Sequence, residues 1–319
     1  MAHGLVGRIS RVRPESTKGE SVAERRERKT RESRLRSRGL DEIGPVPTGC
    51  HWIDACDRGA DVFEFPAELT QRKRRDIVRS CHHRALGSER SDANAHWTLE
   101  IPAQTGVPAR RAELSGVAWE TTIRPPHVRK GTFEDTPIGV TIVRVWETNP
   151  PDEADPLEWR LLTNEPAETP GRLRRIGDWY SCRMRVEEYH EARKSGARVE
   201  GCRVQNVKAM ASWVAVLSVL SVWMMNPRLA AREPMAAERT AEAVVPPLWV
   251  SVPRRAMTAS GLRPKGEMSV RDFWHGLARL DGYKSRTPGK TPPGWQTPWQ
   301  GWVRMNFLIR DELSTPKMC

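Results

Sequence analysis

Three segments in the middle of the chain, Trp97-Thr-Leu-Glu-Ile101, Val117-Ala-Trp-Glu-Thr-Thr-Ile123 and Gly139-Val-Thr-Ile-Val-Arg-Val-Trp146, alternate apolar and polar positions between Pro and Gly turns. That alternation predicts strands of a β-rich region. Upstream, His51-Trp-Ile-Asp-Ala-Cys56 is short and apolar-rich and predicts a further strand, ending at Asp57 just before a Gly-containing turn. Carboxylates at strand ends often line active clefts in α/β folds. The plain alternative for Asp57-Arg-Gly is an ordinary turn.

The second half reads as helical. Tyr180 to Gly196 is rich in Glu, Arg and Lys, which are good helix formers. Ala209 to Met225 carries no charge, and it approaches without reaching the roughly 20 residues that span a bilayer. Two readings stand, a membrane helix and a wholly apolar helix buried inside a sizeable α/β domain; the buried helix is the expectation. After Asn226-Pro227 the composition shifts to Ala, Glu, Arg and Pro, which predicts a linker and then a small helical domain. No internal repeat stands out.

At 319 residues the chain can bury one substantial core and a smaller appendage. A net charge of +12 and a pI near 9.9 suit a polyanionic partner. The basic density peaks between Glu24 and Arg38, where interleaved Glu residues allow i,i+4 pairs, so a solvated helix competes with a phosphate-binding arm. The six cysteines, Cys50, Cys56, Cys81, Cys182, Cys202 and Cys319, form no Cys-x-x-Cys pair and have no His at zinc spacing. Cys81-His82-His83 comes nearest, but adjacent histidines point in different directions on a regular element, so no zinc site is expected. The thiols read as reduced and intracellular, and no signal peptide is visible.

Tyr180, Arg183, Glu187 and Lys194 follow the spacing i, i+3, i+7, i+14. At roughly 100° per residue they fall within about 60° of one helix face, with Glu188 well off it. A carboxylate flanked by a phenol, a guanidinium and an ammonium suits a divalent metal and the phosphates it works on. A solvated charged helix is the bland alternative.

This Tyr-Arg-Glu-Lys signature resembles that of cut-and-paste bacterial DNA transposases of the insertion-sequence-four group, the transposon-five type. Cys56-Asp57-Arg58-Gly59-Ala60-Asp61 is similar to the family's second catalytic motif, Cys-Asp-Arg-Glu/Gly-Ala-Asp. Val78-Arg79-Ser80 resembles its Val-Val-Arg-Ser strand, and Trp159-Arg-Leu-Leu-Thr-Asn-Glu165-Pro166 its Trp-x-Leu-Leu-Thr-x-Glu-Pro. Phe273 to Tyr283, followed by Gly294 to Trp302, resembles the C-terminal dimerisation domain. The likeness runs from about Leu5 to the C-terminus.

The resemblance implies an α/β fold with a ribonuclease-H-like (retroviral-integrase-like) catalytic core, a β-rich insertion and a small C-terminal all-α domain. Residues 1–48 would be a basic connecting segment, 49–226 the core with its insertion at about 90–165, and 227–319 the linker and dimerisation domain. It implies cleavage, hairpin formation and strand transfer on DNA by phosphoryl transfer with two Mg2+ (or Mn2+) ions. Asp57 would hold one ion and Glu187 the other. Arg183 and Lys194 would sit on phosphates, Tyr180 beside the scissile end, Arg79 on transposon-end DNA, and Trp159 beside a flipped base. Read from the residues alone, Trp159 is a core aromatic and Arg79 a surface charge. The implied partners are DNA and a second chain, as homodimer or mixed dimer through 268–305, with no membrane and a cytoplasmic, nucleoid-associated location.

Two departures qualify this. The family's first aspartate lies in an Asp-Thr-Thr context, which the chain lacks; Asp41 and Asp54 are the only aspartates before Asp57. The expectation is therefore a chain that begins inside the catalytic core and has little activity alone. Glu191, which also projects near the Glu187 face, stands where relatives usually carry Lys, and an anion there repels phosphate. The alternative functional class is a non-catalytic partner that inhibits transposition through mixed dimers, or an inert remnant.

Overall fold

The computed structural model describes residues 35–82, 90–101, 110–125, 136–152, 155–196, 199–201, 203–204, 206–259, 261, 266–284, 293 and 296–314. The Arg-rich run up to residue 34, His83, Cys202 and Cys319 lie outside them. Two units are distinguished, dividing between Met184 and Arg185. The expected boundary was near 226, so the Glu187 segment belongs with the C-terminal helices.

The first unit is mixed α/β. Helix α1 (Leu35–Ile43) precedes β1 (Ile53–Cys56), and α2 (Glu64–Gln71) connects β1 to its parallel neighbour β2 (Arg75–Arg79). Then come β3 (Arg90–Ile101), β4 (Arg110–Ile123), β5 (Ile138–Glu147), β6 (Glu158–Thr163) and α3 (Pro170–Ser181). The strands form one six-stranded sheet in the order β1-β2-β6-β5-β4-β3. Pairing of β6 with β2, with Ile77 opposite Thr163, makes the strands expected as an insertion continuous with β1 and β2.

Both faces of this sheet are apolar, as the two-residue period of a strand requires when each face is covered. Ile77, Val143 and Leu161 join one buried cluster with Trp97, Leu173 and Ile176, while the next residues along or before them, Val78, Ile142 and Leu162, join another with Leu40, Phe65 and Leu69. Helix α3 lies close on the first face because two glycines permit it. A Cβ on Gly116 would stand 2.3 Å from Leu173, and one on Gly177 would stand 2.5 Å from Trp97.

The single helix predicted across Tyr180 to Lys194 is not formed. Helix α3 ends at Ser181, Cys182 and Arg183 make a turn, α4 runs Met184–Glu191, and a π turn follows over Ala192–Gly196. The break has a local cause. Ser181 Oγ donates to the Asp178 carbonyl at 2.7 Å and Cys182 Sγ to the same oxygen at 3.5 Å, so two side chains compete for a helical acceptor. The chain then tightens through Cys182 N to Trp179 O and Arg183 N to Tyr180 O.

The second unit is mostly helical in its described residues, with an isolated antiparallel bridge between Thr240 and Ser269: most of α4 and the π turn, α5 (Val207–Arg232), α6 (Pro247–Ala259), α7 (Val270–Leu280) and α8 (Gln296–Ser314). Its core gathers Met224, Met257, Phe273, Leu277, Trp299 and Met305. Helices α7 and α8 cross so closely that a Cβ on Gly301 would stand 1.8 Å from the Leu277 carbonyl oxygen. The Trp-rich segment contributes to this core: Trp299 and Trp302 are buried, and Trp249 meets Trp302 edge-on at 4.4 Å.

The uncharged run forms most of α5, capped by the Asn206 side chain on Ala209 N at 2.8 Å. The expectation of a buried helix holds only for one side of it, where Leu217, Ser218 and Ser221 are buried at helical spacing. Met224, Met225 and Ala230 are buried, but Val207, Trp213, Val216, Val219 and Trp223 are between 42% and 70% exposed. Hydropathy states that a helix avoids water, not which surface covers it, and this apolar side is bare in the isolated chain.

Candidate active cleft

Strand β1 delivers Asp57 to its C-terminal end, as the sequence predicts. The residue keeps an extended backbone and caps the 3-10 turn Arg58–Ala60, with Oδ1 accepting from Gly59 N at 3.1 Å. The same oxygen accepts from Arg36 Nη2 at 2.8 Å. Gly59 makes room for that guanidinium, since a Cβ there would stand 2.4 Å from Arg36 Nη2.

Four further expected residues collect around this strand end. Arg79 closes β2 and donates from Nη2 to the Glu158 carbonyl at 3.2 Å. Trp159 on β6 is 6% exposed and meets the Tyr180 ring edge-on, with centroids 5.1 Å apart at 70°. The Arg183 guanidinium lies 6.0 Å from the Tyr180 ring centroid. Burial raises the Tyr180 phenol above its ordinary range, the Arg183 and Arg79 cations oppose that, and the Asp57 charge adds to it. Tyr180 therefore senses Asp57, Arg79 and Arg183 together.

Beside them opens a cleft of ≈ 520 Å³ whose wall includes Arg58, Arg79, Cys81, His82, Trp159 and Arg160. A wall that carries three arginines suits a phosphate-bearing ligand. Glu158 moderates this charge: it pairs with Arg144 at 3.0 Å and Arg160 at 3.4 Å, and those cations hold its carboxyl below the usual range against the opposing effect of desolvation.

Glu187 and Lys194 stand on the second unit, both exposed, on α4 and in the π turn. The expected divergence of Glu188 from Glu187 is seen. Glu188 turns to Arg232 at 2.6 Å, whereas Glu191 approaches the buried Arg228 at 3.9 Å. Burial, with Arg232 nearby, pushes Arg228 down to about 10, opposed by Glu188 and Glu191. Glu191, read from the sequence as an anion that repels phosphate, thus faces a buried cation. Gly196 ends the π turn beneath Trp299, where a Cβ would stand 2.6 Å from the indole.

Sequence reasoning missed Asp61. It is 1% exposed, and its Oδ2 accepts from Ser80 Oγ at 3.0 Å, Cys81 N at 2.8 Å and His82 N at 3.3 Å. Ligand-type atoms of Asp61, Cys81 and His82 lie within 4.8 Å of one another. A search by sequence spacing hides this group, because about twenty residues separate the aspartate from the pair and the parallel strands bring them together. Cys56, by contrast, is an inert thiol, pushed up to about 12 by burial and the Asp54 charge, with Arg36 opposing.

A cluster of acids at the opposite end of β1 and β2 was also missed. Asp54 and Asp76 are register partners on the parallel pair. Arg74 grips Asp54 with two bonds of 2.6 and 2.9 Å, while Asp76 and the nearby Glu165 are buried. No family model matches the chain.

Proposed function

We propose that the chain is a DNA transposition protein of the insertion-sequence-four type, on a ribonuclease-H-like core, whose cleft beside Asp57 holds a DNA strand. The observation carrying this reading is the arginine-lined cleft itself: Arg58, Arg79, Trp159 and Arg160 are among the residues lining it, at the end of the strands that carry Asp57 and Arg79. Guanidiniums neutralise phosphates along a strand whatever its sequence.

In this reading Asp57 would hold one Mg2+ or Mn2+ ion and Glu187 another, and such ions would supply charge neutralisation at the phosphoryl group and an activated oxygen nucleophile. Both are exposed carboxylates, the hard oxygen donors these cations prefer. Arg183 and Lys194 bind phosphates, and Tyr180 borders the strand end. Two carboxylates are a thin ligand set for two ions, and the 319 residues hold no Asp-Thr-Thr. Catalysis by these residues alone is accordingly weak.

A second reading, a partner that lowers transposition through mixed dimers, draws on two features. Arg36 already occupies Asp57, and α8 exposes Val303, Phe307 and Leu308.

Fluorescence anisotropy with duplex and single-stranded DNA tests the first reading. Arg79→Ala and Arg160→Ala should each weaken binding across all sequences and flatten its salt dependence by about one unit of slope. Unchanged affinity in both variants overturns it. Co-expression with an intact relative tests the second, since an inhibitor lowers transposition and an inert chain does not.

A further inference from the structure

We propose that Asp61, Cys81 and His82 form a binding site for a thiophilic divalent cation of the Zn2+ class at the rim of the arginine cleft. Thiolate, imidazole and carboxylate are the three donor types that Zn2+ takes, and this mixture disfavours Mg2+, which prefers oxygen alone. The donor atoms lie within 4.8 Å of one another. Tetrahedral coordination at ordinary zinc bond lengths separates ligands by roughly 3.3–3.7 Å, so closure requires shifts of about 1 Å. Those shifts fall to the exposed Cys81 and His82 side chains, the thiol leaving its 3.6 Å contact with the Arg58 carbonyl oxygen, while Asp61 stays buried.

The surrounding bonds prepare the site. Asp61 Oδ2 fastens the 80–82 loop through two backbone N–H groups and the Ser80 hydroxyl, which holds consecutive ligands beside the carboxylate. His82 Nε2 lies 3.0 Å from the Asp61 carbonyl oxygen, which can only accept, so that nitrogen carries the proton. A ring nitrogen donating to a backbone carbonyl is the usual outer support of a metal-bound histidine, and it leaves the other nitrogen as a lone-pair donor. With three protein ligands the fourth position is open, and both Cys81 and His82 line the cleft beside Arg58 and Arg79. An ion here adds positive charge to a wall already suited to phosphate.

This site is independent of the Mg2+ reading for Asp57 and Glu187 and stands or falls separately. The test uses the full chain, loaded with Co2+ as a spectroscopic stand-in and with Zn2+ in equilibrium dialysis. The expected result is one Zn2+ per chain, unaffected by excess Mg2+, and a thiolate-to-Co2+ charge-transfer band. Cys81→Ser should abolish the band, His82→Ala should weaken Zn2+ binding at least tenfold, and Cys56→Ser and Asp57→Asn should leave both intact. Circular dichroism establishes that the variants fold; Cys81 and His82 are surface positions, unlike Asp61, whose loss also releases the loop. A wild-type chain with no band, or a band that survives Cys81→Ser, overturns the proposal.

Discussion

Arg36 Nη2 sits 2.8 Å from Asp57 Oδ1, so the strand-end carboxylate is already engaged by a cation from α1. A metal ion at Asp57 must compete with that guanidinium. The side chains are 27% and 54% exposed, and such a pair contributes about 0–1 kcal/mol. Arg36→Ala should leave thermal stability nearly unchanged and tighten Mn2+ binding several-fold, measured by the loss of the free-ion electron paramagnetic resonance signal. Equal Mn2+ affinity in the two chains would remove Asp57 from the metal site.

Trp159 is buried against Tyr180, so its substitution disturbs packing before it disturbs any ligand. Trp159→Ala should cost about 3–5 kcal/mol in urea denaturation. Trp159→Phe keeps an aromatic edge and should recover most of that loss. If Phe restores stability but not DNA affinity, the indole itself meets the nucleic acid.

Asp76 gives the first unit an unusual response to pH. Burial, together with the Asp54 and Glu165 charges, raises its carboxyl from the ordinary 3.8 to about 7, against a lowering contribution from Asn164 and Arg75. Between pH 4 and pH 7 the unfolded chain has released this proton while the folded chain keeps it, so this residue makes stability fall as pH rises. The fall is complete above pH 7 and amounts to roughly 4 kcal/mol. Asp76→Asn should abolish it, seen as urea midpoints that no longer separate between pH 5 and pH 8 on this account.

Gly301 is a packing requirement rather than a flexible point. Gly301→Ala places a methyl 1.8 Å from the Leu277 carbonyl oxygen, a backbone atom that cannot rotate away. Helices α7 and α8 must separate, and the melting temperature should drop by an amount matching about 3 kcal/mol or more. Gly282→Ala faces open space but sits at φ +83, so its smaller cost reports backbone conformation alone. A Gly301→Ala melt no lower than that of Gly282→Ala would refute the close crossing.

The strands were legible because alternation is a local property: Trp97–Ile101, Val117–Ile123 and Gly139–Trp146 all fall inside β3, β4 and β5. Asp57 at a strand end and Glu188 turned from Glu187 were readable for the same reason. The break at Cys182-Arg183 was not, since helical propensity does not register two side chains reaching for one carbonyl. Nor was the bare side of α5, because exposure depends on what lies opposite. The Asp61–Cys81–His82 group and the Asp54–Asp76 register pair exist only once β1 and β2 are aligned.

Strand β1 is four residues long and, among the described residues, hydrogen-bonds as a strand only to β2. An edge held from one side opens with less free energy than the interior of its sheet. Asp57 follows that edge directly and Asp61 comes four residues later, so opening of β1 disturbs both the arginine cleft and the Asp61 contacts. Ligands that bridge β1 and β2, whether a phosphate chain or a metal ion, would act first as a clasp on this pair, visible as slowed amide exchange at Ile53–Cys56.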